Sequence, residues 1–172
     1  MRTAPVHVVV MGVSATGKTT IAQRMAADLG YEFVEGDSLH PQANIEKMEA
    51  GTPLTDADRE PWLCAIAALV AEKDAAGVST VVTCSALKRS YRDLLRSASE
   101  GGSDTFFVHL HAPYEVLEER MSHRTKHFMP TSLLRSQFDT LEPLQPDENG
   151  VVVDVTPPVD EVVAEAEAAV PH

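Results

Sequence analysis

The chain has 172 residues, a hydrophobic fraction of 44% and a net charge of −12. That length fits one domain, residues 1–172, with a core of its own. So acidic a balance argues against nucleic acid or an anionic membrane as a partner, because both bind basic faces. No run approaches the roughly 18 apolar residues of a membrane span. Met1 to Pro5 lead directly into a strand and leave no room for a signal peptide. Cys64 and Cys84 have neither metal-ligand spacing nor the look of a disulfide framework. Together these features predict a cytoplasmic protein.

The first element is Val6 to Met11, a short β-branched apolar run that reads as a buried parallel strand. Gly12-Val13-Ser14-Ala15-Thr16-Gly17-Lys18-Thr19 follows and fits the G-x-x-x-x-G-K-[ST] phosphate-loop pattern. Thr20 to Leu29 then carries Ile21, Met25, Ala26 and Leu29 at helical spacing, and Gly30 closes it. Strand, glycine loop and helix in that order is the setting the motif needs. Gly12, Ser14, Ala15, Thr16, Gly17 and Thr20 are expected to cradle the phosphates of ATP with backbone N–H groups at the helix N-terminus. Lys18 should reach the β- and γ-phosphates, and the Thr19 hydroxyl should ligate Mg²⁺. Ala15 stands where many small kinases have glycine; a positive φ there would cost about 1–2 kcal/mol.

Further strands are expected at Tyr31–Glu35, Thr80–Cys84, Asp104–His111 and Val151–Val155. Helices are expected near His40–Glu49, from Thr55 (with Asp58 forming a capping box), at Lys88–Ser97, from Pro113 towards Arg124, at Pro130–Leu141 and at Val159–Val170. The alternation implies an α/β fold, a parallel sheet of five strands with helices on both faces and ligands beyond the carboxyl ends of the strands. That edge selects the phosphate loop, Asp37, Cys84-Ser85 and the segment after His111. Asp37 can orient an acceptor hydroxyl and take its proton, or merely cap the turn beside Gly36. Lys88, Arg89 and Arg92 form a cationic cluster after the third strand; the alternative for each is a solvated helix face. His40 either donates to a substrate hydroxyl or caps the short helix. Arg120 and Arg124 lie four apart on one helix face, followed by Lys126, and would bring charge to the transferring phosphoryl group as a lid at about residues 120–132 closes. Otherwise they pair with Glu118 or Glu119. His109 and His111 alternate on a strand without carboxylate partners, which disfavours a metal site.

Beyond the phosphate loop stand Gly36-Asp37-Ser38-Leu39-His40-Pro41, Asp56-Ala57-Asp58-Arg59-Glu60-Pro61-Trp62-Leu63, Cys84-Ser85-Ala86-Leu87-Lys88-Arg89, His127-Phe128-Met129-Pro130 and Ser136-Gln137-Phe138. In these blocks, from Val8 to about Asp154, the chain closely resembles the small gluconate kinases of the adenylate- and shikimate-kinase-like group. The resemblance implies the P-loop kinase fold with a small lid. It also implies transfer of phosphate from ATP, with Mg²⁺, to D-gluconate. Arg59 becomes the expected partner of the substrate carboxylate, with His40, Ser85, Lys88 and Arg89 around the sugar acid, and Asp37, Lys18 and Arg124 in catalysis. A homodimer is the assembly common in that family. The competing readings are a related kinase for another sugar acid or shikimate, and a non-catalytic nucleotide-binding module.

Overall fold

A computed structural model describes residues 4–98, 105–122 and 132–171. Five parallel strands make the sheet: β1 (His7–Met11), β2 (Glu32–Glu35), β3 (Thr80–Thr83), β4 (Thr105–His111) and β5 (Gly150–Asp154). They lie in the order β2-β3-β1-β4-β5. β1 is central, with His7 opposite both Thr80 and Thr105. Every residue of β1 is buried, which is why it reads as an unbroken apolar run rather than an alternating one. β5, at the edge, alternates instead and leaves Val152 52% exposed.

Among the described residues seven helices connect and cover the strands: α1 (Lys18–Leu29), α2 (Gln42–Glu49), α3 (Asp56–Ala75), α4 (Arg89–Arg96), α5 (Tyr114–Ser122), α6 (Ser132–Thr140) and α7 (Val159–Ala169). α1 packs with α7, and α3 with α4. Right-handed crossovers put these pairs on opposite faces. The capping box opens α3: the Asp58 N–H donates to the Thr55 hydroxyl at 3.1 Å, and the Thr55 N–H donates to the Asp58 carboxylate at 2.9 Å. Among the described residues no helix is long and apolar enough to cross a membrane.

Two expectations change in detail. The helix expected from His40 starts at Gln42, because Pro41 fixes its own φ at −59° and sits at the N-cap. Ahead of it, Gly36–Leu39 forms a 3₁₀ turn, and Asp37 stands in it just past the strand. Arg92, read as part of a cationic cluster facing ligand, is fully buried. It pairs with buried Glu148 at 2.8 Å and with the Ala86 carbonyl at 2.9 Å. Burial alone would push the Glu148 carboxyl up, but Arg92, the Gln145 N–H and Arg96 outweigh it and hold the carboxyl at about 2. This pair ties α4 to the chain entering β5, and breaking a buried pair of that kind costs about 3–5 kcal/mol. His7, the one polar side chain in β1, is satisfied too: Nδ1 meets Thr80 Oγ1 at 2.8 Å and Nε2 meets Asp74 at 2.9 Å.

Candidate active site

The loops after β1, β2 and β3 converge at the carboxyl edge of the sheet. The Gly12 N–H donates to the Ser85 carbonyl at 3.2 Å, joining the loops that leave β1 and β3. Glycine is obligatory at position 12, where φ is +143° and a Cβ would stand 2.6 Å from the Leu110 carbonyl oxygen. Gly36 answers a different need. A Cβ there would fall 1.8 Å from the Thr83 carbonyl oxygen, so only glycine lets the end of β2 lie against β3. Ala15 does adopt a positive φ, +71°, so the strain foreseen for a non-glycine residue in the loop is present, at about 1–2 kcal/mol.

Within the loop the Lys18 ammonium donates to the carbonyls of Gly12 (3.1 Å) and Val13 (3.0 Å). The Thr16 hydroxyl donates to Val13 O at 3.0 Å. The Thr19 hydroxyl donates to Glu35 Oε2 at 2.7 Å, and the other Glu35 oxygen accepts from Thr83. Glu35, not among the expected residues, thus joins the loop to the end of β3; its signal in the sequence is Glu35-Gly36-Asp37, two carboxylates two residues apart at a strand end. Gln137, in the Ser136-Gln137-Phe138 block, also reaches the loop: its Oε1 accepts the Ser14 N–H at 2.7 Å.

One cleft, with about 530 Å³ of space open to solvent, is lined by Ser14, Lys18, Asp37, His40, Arg59 and Ser85. The structure thus brings together six of the expected residues. Trp62 is both core and cleft wall: its indole N–H donates to Gly36 O at 2.7 Å and its ring stacks on His40 at 3.9 Å. Burial, and then the Arg59 charge, lower the His40 pKa to about 4, so its ring is neutral. Nδ1 faces an Asn44 amide N–H at 3.2 Å, which leaves the ring proton on Nε2. Arg59, 8% exposed, donates to the Tyr91 hydroxyl at 3.1 Å, and Tyr91 donates on to Asp56. Burial pushes the Cys84 thiol up to about 12, which removes it as a nucleophile.

Lys88 and Arg89, expected around the sugar acid, are not among the residues that line this cleft. Lys88 is ion-paired with Asp56 at 3.0 Å. Arg89 makes a bidentate pair with Asp147, both contacts 2.7 Å, and donates to Gln145 at 2.8 Å. Both charges already face carboxylates. Arg120 lies beside the other flank of the loop, its guanidinium donating to Val155 O at 2.7 Å. There a second cleft, about 670 Å³, runs past Thr16, Gly17 and Thr20 to Pro157, Pro158 and Val162. Arg124, Lys126 and residues 123–131 of the expected lid lie outside the described residues. His109 is buried, and burial together with His111 lowers its pKa to about 4.

A phosphate loop at the carboxyl edge of a five-stranded parallel sheet, flanked by an acceptor-sized polar cleft, defines a P-loop kinase. Comparison with known proteins narrows the class. Residues 8–144 match the family model described as AAA domain. A gluconokinase of Gluconobacter oxydans (strain 621H) is 53% identical over 146 residues, 84% of this chain and 79% of that protein. Two solved structures are similar throughout. A gluconokinase from Sinorhizobium meliloti 1021 has a TM-score of 0.85 and 51% identity, covering 98% of this chain and 93% of that one. A sugar kinase from Janibacter sp. HTCC2649 has a TM-score of 0.89 and 48% identity, covering 98% and 99%. The chain belongs to the gluconokinase family within the AAA-domain proteins.

Proposed function

We propose that this protein transfers the γ-phosphoryl group of ATP to D-gluconate, giving 6-phospho-D-gluconate and ADP. The observation that carries the reading is the loop's position between two unlike clefts. Ser14 and Lys18 line the polar one with Asp37 and Arg59. Thr16, Gly17 and Thr20 line the other, which is mostly apolar beyond them. ATP lies along the loop, with its terminal phosphate at Ser14 and its base between Arg120 and the prolines that follow β5.

In this reading the bond from gluconate O6 to phosphorus forms as the bond to the ADP oxygen breaks, and the hydroxyl proton passes to the Asp37 carboxylate. Lys18 leaves its carbonyls for phosphate oxygens as charge develops on them. Arg59 takes the sugar-acid carboxylate, a fork suited to that planar anion. His40 Nε2–H and the Ser85 hydroxyl serve the hydroxyls along the chain. Arg124 belongs to the transfer step on the family resemblance alone. The residues present fit Mg²⁺. Thr19 gives its proton to Glu35, so its oxygen lone pairs remain for a hard cation, with a carboxylate behind them. The ion supplies neutralisation of phosphate charge; Thr19 would hold it and Glu35 would orient Thr19. A homodimer and a cytoplasmic location complete the proposal. Sedimentation and fractionation test them.

A coupled ATP-consumption assay across gluconate, other aldonates, shikimate and nucleoside monophosphates tests the reading. Gluconate-dependent turnover is expected. Faster turnover of another acid would reassign the substrate, and ATP binding without transfer to any of them would make the chain a nucleotide-binding module.

A further inference from the structure

Gln137 makes a polar contact between α6 and the phosphate loop for which the reaction above has no use. Its carboxamide oxygen, 123 residues away in sequence, accepts the Ser14 N–H at 2.7 Å. Amides of this loop are the donors that phosphate oxygens seek. Ser14 marks the end of the loop that opens on the acceptor cleft, whereas Gly17 and Thr20 face the other. The Ser14 donor therefore serves the terminal phosphate, the group in transit, and not the part of the nucleotide common to ATP and ADP.

The helix carrying Gln137 also walls the sugar-acid cleft. Leu133, Ser136 and Gln137, spaced to share one helix face, all line it. Leu133 packs in a small cluster with Met48 and Leu54. The end of α6 is fastened to the sheet side, where the Glu142 N–H donates to Leu87 O at 2.6 Å.

We propose that Gln137 is a positioning residue that holds the terminal-phosphate donor until a nucleoside triphosphate arrives, so that its displacement registers triphosphate but not diphosphate. The proposal rests on the phosphate-loop reading above. A neutral carboxamide oxygen is a weaker acceptor than a phosphate oxygen, so the exchange runs towards ATP. After transfer, the lost terminal phosphate frees the donor for Gln137 again, and ADP is left with fewer contacts than ATP had.

The test is calorimetric titration of the intact protein with Mg²⁺ and either AMP-PNP or ADP. Gln137→Ala and Gln137→Met remove the acceptor, the second keeping the length and packing of the side chain. Both should tighten AMP-PNP by about two- to tenfold, the strength of one neutral hydrogen bond, with ADP unchanged within about twofold. Gln137→Glu should weaken AMP-PNP selectively. Equal shifts for both nucleotides, no shift, or weaker AMP-PNP in the Ala and Met variants would overturn the proposal. Failure of the parent protein to bind either nucleotide would instead overturn the phosphate-loop reading.

Discussion

Replacing Glu35 with glutamine tests how the metal side of the site is built. Glu35 is half-buried, and its two oxygens accept from two hydroxyls, Thr19 at 2.7 Å and Thr83. Thr83 has no latitude in this arrangement, because its oxygen also accepts the Gly36 N–H at 3.0 Å. An amide offers one acceptor where the carboxylate offered two. If its NH₂ faces Thr19, the Thr19 proton must turn outward, towards the cation it is meant to hold. If the NH₂ faces Thr83, that hydroxyl loses its acceptor beside an amide already using its lone pair. Either way one charge-assisted hydrogen bond is lost, worth about 1.5–3 kcal/mol. Because Thr19 is the cation's only proposed protein ligand, most of that loss should appear in metal affinity. Glu35→Gln should raise the Mg²⁺ concentration needed for half-maximal activity by about 10–100-fold, a span usual for groups that orient a metal ligand. Excess Mg²⁺ should restore much of the rate. A titration of initial rate against Mg²⁺ at fixed ATP is the assay. An unchanged Mg²⁺ midpoint would refute the argument, and an unfolded variant, checked by circular dichroism, would make Glu35 a structural brace instead.

Asp37→Asn should keep nucleotide and gluconate binding within roughly tenfold, about 1.4 kcal/mol, while turnover falls about 10²–10⁴-fold; calorimetry beside the transfer assay separates the two, and near-parent turnover would leave Asp37 a turn cap. Arg59→Lys should raise KM for gluconate about tenfold or more, since a point charge replaces a fork and loses Tyr91; an equal rise in KM for ATP would contradict the assignment. The folded-state pKa of His40 and of His109, each near 4, lies below the unfolded value of 6.5. Their contribution to stability is therefore present above pH 6.5 and lost as pH falls towards 4. Glu167, raised to about 7 mainly by burial and by its bond to Asp28, works in the opposite sense between pH 4.5 and 7, but it is one group against two. Urea midpoints should accordingly fall from pH 6.5 to 5, and a flat or rising profile would show that the histidines do not govern this range.

The elements that were legible in the sequence are those whose signal is local. The phosphate loop, the run of β1 and the Thr55–Asp58 box each fit within a few residues, and each stands where expected. What escaped depends on partners far along the chain. Lys88 and Arg89 look like ligand cations until Asp56 and Asp147 arrive from 32 and 58 residues away. Arg92 looks exposed until Glu148 closes over it. Glu35 looks like an ordinary strand-end carboxylate until the 1.8 Å constraint at Gly36 presses β2 against Thr83. Gln137 stands in a family block, but nothing near it points to the Ser14 amide, 123 residues away.

These long-range pairs also explain how a chain of charge −12 can receive two anions. Lys47, Lys73, Lys88, Arg24, Arg89, Arg92 and Arg96 each face a carboxylate. Arg59, in the acceptor cleft, is held differently. Arg59 donates to a phenol, and among the described residues it pairs with no carboxylate. Asp56 still acts on Arg59, but through the Tyr91 hydroxyl it orients and at one residue's remove. A neutral holder fixes the guanidinium without cancelling its field, so a sugar acid entering the cleft meets charge that is positioned beforehand and needs no ion pair broken to be released.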